Sequence, residues 1–169
     1  MPTLSVVIPV FNEEAGLEAL FARLYPALDA LGTNYEVLFV DDGSTDRSVE
    51  ILRQQFERRP AETRVVVLNG NFGQHRALLA GFARVRGERV VTLDADLQDD
   101  PAEIPRFLEK RQTDGLDVVS GWKRKRYDPW HKVGPSRIFN AMVSRLTGCR
   151  LHDHNCGYKL YRTEVVRDL

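Results

Sequence analysis

The sequence predicts an α/β fold in which a mainly parallel sheet carries helices on both faces. Short β-branched runs alternate with longer amphipathic stretches, as expected for a chain that returns to one sheet through crossover helices. Acidic or polar clusters follow three of these runs, and ligands gather at the carboxyl ends of strands in such sheets. The chain has 169 residues, 43% apolar and 28% charged, which is enough for a buried core and too apolar for disorder.

Three strands are predicted in the first half of the chain. Residues 4–9 (LSVVIP) form a buried strand, and residues 14–31 place five apolar side chains on one helical face. Residues 35–40 (YEVLFV) form a second strand, and the loop after it ends at Asp46, whose carboxylate can cap the next helix. Residues 64–68 (RVVVL) form the third strand.

Two more strands and two helices follow. Residues 74–86 form a helix rich in small residues, and residues 89–93 (RVVTL) form the fourth strand. Pro101 opens a helix at a first-turn position that proline tolerates, and residues 116–120 form a fifth strand. Because the sequence contains no repeat or linker, we expect one domain over residues 1–169.

The rest of the chain has a different pattern. Residues 122–127 (WKRKRY) are a basic run predicted to be a loop, and residues 136–146 are predicted to be a helix. Residues 152–162 lead from a loop into a strand, and Thr163 begins another helix.

Composition excludes several classes of protein. The 24 basic and 24 acidic residues balance, so the net charge gives no general reason to bind nucleic acid. No apolar run approaches the ~20 residues of a membrane-spanning helix. The first residues lack the basic start of a signal peptide, and Cys149 and Cys156 fit a reducing compartment better than a disulfide framework. These observations predict a cytoplasmic protein.

The three clusters that follow predicted strands are candidates for a binding site. Each alone is better explained as a loop or a helix cap than as a binding site. Together they would place like charges at one edge of the sheet, which costs free energy unless a cation neutralises them. The clusters are Asn12-Glu13, Asp41-Asp42 and Asp94-Ala95-Asp96.

The third cluster is the best candidate for a metal site. Asp94 and Asp96 are separated by one residue, so their side chains can point the same way, and Gln98 adds a neutral oxygen. Magnesium and manganese bind such oxygen ligands together with water and phosphate. Because the protein ligands are few, we expect the phosphates of a nucleotide to complete the site.

Other catalytic and cofactor motifs are missing from the sequence. It contains no G-x-G-x-x-G after the first strand, no P-loop and no G-x-S-x-G elbow. His152 and His154 do not form a zinc-ligand spacing with Cys149 and Cys156. The two cysteines are therefore expected to be buried apolar residues.

Four motifs carry a family resemblance: PVFNE at 9–13, DDGSTD at 41–46, NFG at 71–73 and DADLQ at 94–98. In this order and spacing the chain resembles family 2 glycosyltransferases with the GT-A fold, over nearly its whole length. LDADLQDDPAEIP followed by DVVSGWK is similar to the polyprenyl-phosphate branch, which includes dolichyl-phosphate mannose synthases and undecaprenyl-phosphate glycosyltransferases. The resemblance implies a Rossmann-like GT-A sheet.

The same resemblance implies a donor site and a metal. Asp96 and Gln98, with Asp94, would hold Mg²⁺ or Mn²⁺ on the diphosphate, and Asp94 would also face the donor sugar as a catalytic group. The residues expected to bind the donor nucleotide are Pro9, Phe11, Glu13, Asp41, Asp42, Asp94, Ala95 and Asp96.

An acceptor site is implied in the later part of the chain. Lys123 takes a position where relatives often have arginine and is a candidate catalytic residue, as is Asp153 in a D-x-x-C/S-G stretch. Asp153 is explained nearly as well as a turn or capping residue. The basic run could instead be a solvated loop or could contact anionic lipid headgroups. The residues expected to receive the acceptor phosphate are Arg124, Arg126 and Arg137.

The sequence departs from the family at two places. Phe11 replaces a tyrosine that many relatives carry, which removes a hydroxyl and keeps the ring. Relatives also continue beyond the position of Leu169 with further strands and, in many, membrane helices, so we expect a domain truncated at its C-terminal end.

The resemblance implies inverting attack by a lipid phosphate on the anomeric carbon of a nucleotide sugar. A phosphate monoester has a second pKa near ~6 and is mostly a dianion at neutral pH, so it needs no strong base. The LQDDP stretch resembles that of the bacterial-type relatives, and this resemblance favours UDP over GDP as the donor nucleotide. We expect peripheral contact with the inner face of the membrane and no nucleic acid partner.

Three other functions stay open at this stage: a family 2 transferase with a glycan or lipid hydroxyl as acceptor, a non-catalytic nucleotide-sugar-binding module, and a nucleotidyltransferase. The sequence predicts neither the sugar nor the oligomeric state.

Overall fold

The computed structural model of the protein describes residues 2–121 and 156–167. Strands and helices alternate through most of this part of the chain. The strands are β1 (Leu4–Val10), β2 (Tyr35–Asp41), β3 (Thr63–Val67), β4 (Arg89–Thr92), β5 (Val118–Ser120) and β6 (Lys159–Arg162). The helices are α1 (Leu17–Asp29), α2 (Ser48–Arg58), α3 (Gln74–Phe82), α4 (Ile104–Asp114) and α5 (Thr163–Arg167), with a 3-10 turn at Pro101–Glu103 before α4.

The strands form one sheet in the order β3-β2-β1-β4-β6-β5. β1 pairs in parallel with β2 and β4, and β2 pairs in parallel with β3. β6 lies between β4 and β5 and runs antiparallel to both. The prediction of a mainly parallel sheet is confirmed, and the antiparallel β6 is a feature that the prediction did not contain.

Two apolar cores lie on opposite faces of the sheet. Alternate residues of β2 face opposite ways, so Phe39 belongs to one core and Val40 to the other. The first core packs against α1, α2 and α4, and the second packs against α3 and α5. Helices therefore cover both faces, as predicted.

The helix boundaries differ from the prediction at α1, α3 and α4, where Pro101 opens a 3-10 turn and the helix begins at Ile104. α1 begins at Leu17 rather than residue 14, because Gly16 and Leu17 donate backbone hydrogen bonds to Glu13 O in a turn that precedes the helix. α3 ends at Phe82, short of residue 86, where Arg84 N donates to Gly81 O in a tighter turn. The helix predicted at 136–146 lies outside the described residues.

No helix in the described ranges combines the length and apolar character needed to span a bilayer.

Candidate active site

A cleft of about 320 Å³ opens at the carboxyl ends of β1, β2 and β4. This volume falls at the lower end of the range of small-molecule sites, roughly 300–1,000 Å³. Seven of the residues predicted to bind the donor nucleotide line it, together with four that were not predicted. The predicted ones are Pro9, Phe11, Glu13, Asp42, Asp94, Ala95 and Asp96, and the others are Val10, Asn71, Gly73 and Gln74.

Hydrogen bonds join the loop after β1 to the loop after β2 at one side of this cleft. Thr45 N donates to Asn12 Oδ1 at 2.8 Å, and Glu13 N donates to Ser48 Oγ at 2.9 Å. Asn12 has a φ of 54°, a left-handed conformation that asparagine adopts more readily than most residues. The two loops therefore form one preorganised unit.

Asp46 fixes the start of α2, as the sequence predicted. Its Oδ1 accepts from Ser48 N at 2.9 Å, and its Oδ2 accepts from Glu14 N at 3.0 Å. Burial opposes ionisation of this carboxyl, but hydrogen bonds from Ser48 and Glu14 outweigh it and lower the pKa of Asp46 below its ordinary value.

Asp42 anchors the loop at residues 71–73. Its side chain is nearly buried, with the residue 3% exposed. Oδ1 accepts from Phe72 N and Oδ2 from Gly73 N, both at 2.8 Å. One carboxylate thus binds two backbone amides and holds the NFG motif against the cleft.

The structure separates Asp41 from Asp42. Asp41 is fully buried and does not line the cleft. Its Oδ2 accepts from Gly43 N at 3.1 Å and Ser44 N at 3.0 Å, and its Oδ1 makes no hydrogen bond in the described part of the chain. Asp41 therefore shapes the turn after β2, at Gly43 with a φ of 73°, while Asp42 contributes to the cleft surface.

Asp94 follows β4 and lines the cleft. Gln74 Nε2 donates to Asp94 Oδ1 at 2.6 Å. Gly157 approaches the carboxylate so closely that a Cβ there would lie 2.7 Å from Oδ2 and 2.8 Å from Oδ1. The amide of α3 and the backbone before β6 thus both contact this carboxylate.

Asp96 is exposed at the edge of the cleft. Its Oδ1 accepts from Gln98 N at 3.0 Å across Leu97, which has a φ of 62°. Gln98 itself is exposed and does not line the cleft. Arg23 Nη1 on α1 donates to Leu97 O at 3.3 Å, and this hydrogen bond links the turn to α1.

The electrostatics of the cleft favour a cation. Burial raises the pKa of Glu13 above its ordinary value, and the negative charges of Asp96 and Asp46 raise it further. Within residues 2–121 and 156–167, no group of three or more histidine, cysteine or acidic side chains could hold a metal ion. Exposed carboxylate oxygen with few protein ligands is a donor set that fits Mg²⁺ or Mn²⁺ shared with phosphate.

The predicted acceptor and late catalytic residues lie outside the described residues; these are Lys123, Arg124, Arg126, Arg137 and Asp153. Cys149 lies outside as well, whereas Cys156 is buried, as expected.

Gln74 and Gly157 are contacts of Asp94 that the sequence interpretation did not assign. Gln74 directly follows the NFG motif, and Gly157 is the glycine of the D-x-x-C/S-G stretch, so both had a sequence signal. Neither pattern predicts a contact with Asp94, because Gln74 lies 20 positions before it in the chain and Gly157 lies 63 positions after it.

Comparison with known proteins decides the family. A family model described as "Glycosyl transferase family 2" matches residues 5–169. The chain belongs to this family. The resemblance inferred from the four motifs is therefore confirmed.

Curated relatives place the chain near the polyprenyl-phosphate branch. An undecaprenyl-phosphate 4-deoxy-4-formamido-L-arabinose transferase of Edwardsiella ictaluri is 44% identical over 164 residues, which cover 97% of this chain and 50% of that protein. The protein of the same name from Pseudomonas paraeruginosa is 48% identical over 163 residues, covering 96% and 48%. The chain spans about half the length of the curated relatives it matches.

Solved structures confirm the GT-A fold. Glucosyl-3-phosphoglycerate synthase from Mycobacterium tuberculosis, in complex with Mn²⁺, UDP-glucose and glycerol 3-phosphate, superposes with a TM-score of 0.71 at 25% identity and covers 97% of this chain and 58% of that one. Its complex with Mn²⁺, UDP and phosphoglyceric acid gives 0.72 at 24% identity, covering 97% and 57%.

Proposed function

We propose that this chain is the donor-binding and catalytic domain of an inverting enzyme that transfers a sugar from a nucleoside diphosphate sugar to a polyprenyl phosphate. The observation that carries the proposal is the cleft, in which Asp42 after β2 and Asp94 and Asp96 after β4 lie together at the carboxyl ends of parallel strands. The names of the relatives support the lipid phosphate as acceptor.

The nucleoside is expected to lie between the joined loops and residues 71–73. Phe11 offers an exposed ring for stacking, and the loop held by Asp42 closes the opposite side. UDP is favoured because a GT-A protein at 25% identity is known in complex with UDP-glucose and Mn²⁺. The base and the sugar are both parts of the proposal.

Asp96 is the residue expected to hold the metal, with Gln98 nearby and the diphosphate completing the coordination. Asp96 is exposed, and one of its carboxylate oxygens accepts the Gln98 amide, which orients the other. When bound, Mg²⁺ or Mn²⁺ would supply Lewis acid stabilisation for the departing diphosphate. Burial and the negative charges of Asp96 and Asp46 raise the pKa of Glu13, and this concentration of negative charge supports a cation at the site.

The acceptor phosphate needs positive charge rather than a strong base, because it is mostly a dianion at neutral pH. Arg124, Arg126 and Arg137 are proposed to bind it, since arginine grips phosphate with two hydrogen bonds. Lys123 and Asp153 remain candidate catalytic residues. Because a polyprenyl acceptor is embedded in the bilayer, the proposal includes peripheral contact of the domain with the membrane surface, at its inner face.

Calorimetric titration with UDP and GDP, each with and without Mn²⁺, tests the donor site. We expect one nucleotide to bind in a metal-dependent way and Asp96→Asn to remove the metal-dependent gain. Asp114→Asn is the matched control, because that carboxylate is exposed on α4 and pairs with Lys110. Failure of a folded sample to bind either nucleotide contradicts the proposal.

A transfer assay with polyprenyl phosphate then tests the reaction. The expected product is a polyprenyl-phosphate sugar with inverted anomeric configuration, together with a nucleoside diphosphate. Pyrophosphate as product would indicate a nucleotidyltransferase instead. Transfer only to a glycan or lipid hydroxyl would replace the acceptor in the proposal.

A further inference from the structure

The carboxylate of Asp94 is restrained from two sides by residues distant in sequence. Gln74 Nε2 donates to Oδ1 at 2.6 Å, the length of a strong charge-assisted hydrogen bond. On another side, the backbone of Gly157 leaves no space for even a Cβ, which would lie 2.7 Å from Oδ2. Both neighbours therefore restrict the orientation of Asp94.

Gln74 is itself held in a fixed position. It is the first residue of α3 and follows Gly73, whose amide donates to Asp42 Oδ2 at 2.8 Å. Farther along α3, Ala77 and Gly81 are buried, and Gly81 faces Val7 and Val40 of the sheet. The Gln74 amide is thus held next to Asp94 by α3, which is fixed at its first turn and along its buried face.

The backbone at Gly157 is also anchored. Thr92 Oγ1 donates to Gly157 O at 2.5 Å, and Gly121 N donates to Tyr158 O at 2.9 Å. Because β4 and β5 both hold this segment, it cannot move away from Asp94 without breaking sheet contacts. A side chain at position 157 would have to displace the carboxylate instead.

We propose that Gln74 and Gly157 are positioning residues that hold Asp94 toward the sugar of the donor, while Asp96 serves the metal. The inference rests on the proposed function, because it assigns Asp94 to the donor sugar. A carboxylate only accepts hydrogen bonds, and its two oxygens together offer about four lone pairs, so a carboxylate held in this orientation can accept hydroxyl groups of a sugar. Turning the carboxylate away would weaken sugar recognition more than nucleotide binding, for which Asp96 and the other residues of the cleft stay in place.

Variants at both positions separate positioning from a general structural role. Gln74→Met keeps the length of the side chain and removes the donor, and Gln74→Lys restores a donor to Asp94. Gly157→Ala adds the methyl group that Asp94 excludes. Gln54→Met is the matched control on α2, where the amide donates to Glu50 Oε1 in an exposed hydrogen bond of 3.4 Å.

A glycine control completes the set. At Gly70 an added Cβ would meet nothing closer than the Phe72 ring at 3.9 Å, so Gly70→Ala should leave the site unchanged. Melting temperatures of all variants show whether any difference in binding arises from loss of the fold.

Two readouts carry the test. Crystal structures without ligand should show the Asp94 carboxylate rotated in Gln74→Met and Gly157→Ala and in place in Gln74→Lys. In calorimetry with Mn²⁺, the probes are UDP and UDP-glucose. We expect UDP affinity to stay within about twofold of the wild type. In Gln74→Met and Gly157→Ala, the affinity of UDP-glucose relative to that of UDP should fall about tenfold, the loss expected for one hydrogen bond to a charged group.

The two proposals fail in different ways. If the unchanged chain binds neither probe, the proposed function is wrong, and the crystal structures still test the positioning of Asp94. If Asp94 keeps its orientation in Gln74→Met and Gly157→Ala, or if Gln54→Met reproduces their binding defect, the positioning role is overturned.

Discussion

Replacing Asp42 by asparagine should release the loop at residues 71–73. The carboxylate is nearly buried and accepts from Phe72 N and Gly73 N, both at 2.8 Å. Asparagine keeps the shape but turns one oxygen into an NH₂ group, which faces an amide donor. One of the two hydrogen bonds is lost, and a hydrogen bond to a charged acceptor contributes about 1.5–3 kcal/mol. We therefore expect a local cost of ~2 kcal/mol.

Native-state hydrogen exchange measures this cost where it arises. A free-energy change of ~2 kcal/mol corresponds to a ~30-fold change in an equilibrium constant, so the amides of Phe72 and Gly73 should exchange ~30-fold faster. Amides in β1 and β2 should keep more of their protection, because the loop opens without the sheet. UDP affinity should also fall, since this loop borders the cleft.

The control is Asp114→Asn, which removes an exposed carboxylate paired with Lys110 on α4. Such pairs contribute about 0.3–0.5 kcal/mol, so exchange in the 71–73 loop should not change. Unaltered exchange of Phe72 and Gly73 in Asp42→Asn would refute the assignment of Asp42 as the anchor of this loop. Uniform acceleration of all amides would show that Asp42 supports global stability instead.

Three further predictions follow from the packing, the ion pairs and the metal site. Gly81→Ala places a Cβ 2.5 Å from Val7 Cγ1. The cost of overpacking, about 1–3 kcal/mol, should exceed the ~1 kcal/mol gained in helix propensity, so thermal unfolding should show a lower Tm. Hydrogen bonds from Tyr35 and Arg59 lower the pKa of Asp29 below its ordinary value. The stability of the wild type over Asp29→Asn is therefore present at pH 7 and is lost as the pH falls through the depressed folded pKa, which urea unfolding at a series of pH values from 7 downward measures. Chelation of Mn²⁺ by EDTA should weaken UDP binding at least ~10-fold and leave the Tm of the nucleotide-free protein unchanged, whereas unchanged UDP affinity would contradict a metal on the diphosphate.

Much of the sheet could be predicted because its strands are dense β-branched runs. β1 and β2 each carry apolar side chains to both faces, a pattern typical of strands covered on both sides. The direction of β6 could not be predicted in the same way. Alternation along KLYR is identical for parallel and antiparallel pairing, and only the contacts with β4 and β5 decide between them.

The site was predictable at the level of clusters and less so at the level of single residues. Parallel strands bring their carboxyl ends to one edge, which predicted that Glu13, Asp42 and Asp96 would meet. Asp41 and Asp42 are neighbours in sequence but have different surroundings. Asp41 is the last residue of β2 and accepts a hydrogen bond from Gly43 in the turn that follows, whereas Asp42 borders the cleft. This difference depends on where β2 ends. The contact of Gly157 with Asp94 depends on sheet pairing that no local pattern encodes.

The pairing of β4 with β6 also sets an order of events as the chain folds. β1 to β4 are complete by Thr92, whereas the hydrogen bond from Thr92 to Gly157 closes a separation of 65 residues. Closing so long a loop costs conformational entropy before the pairing can stabilise the sheet, so this contact is expected to form late. A nascent chain that has emerged only as far as β4 can already assemble the Asp42-bound loop, and the second restraint on Asp94 arrives only after β6 has been synthesised.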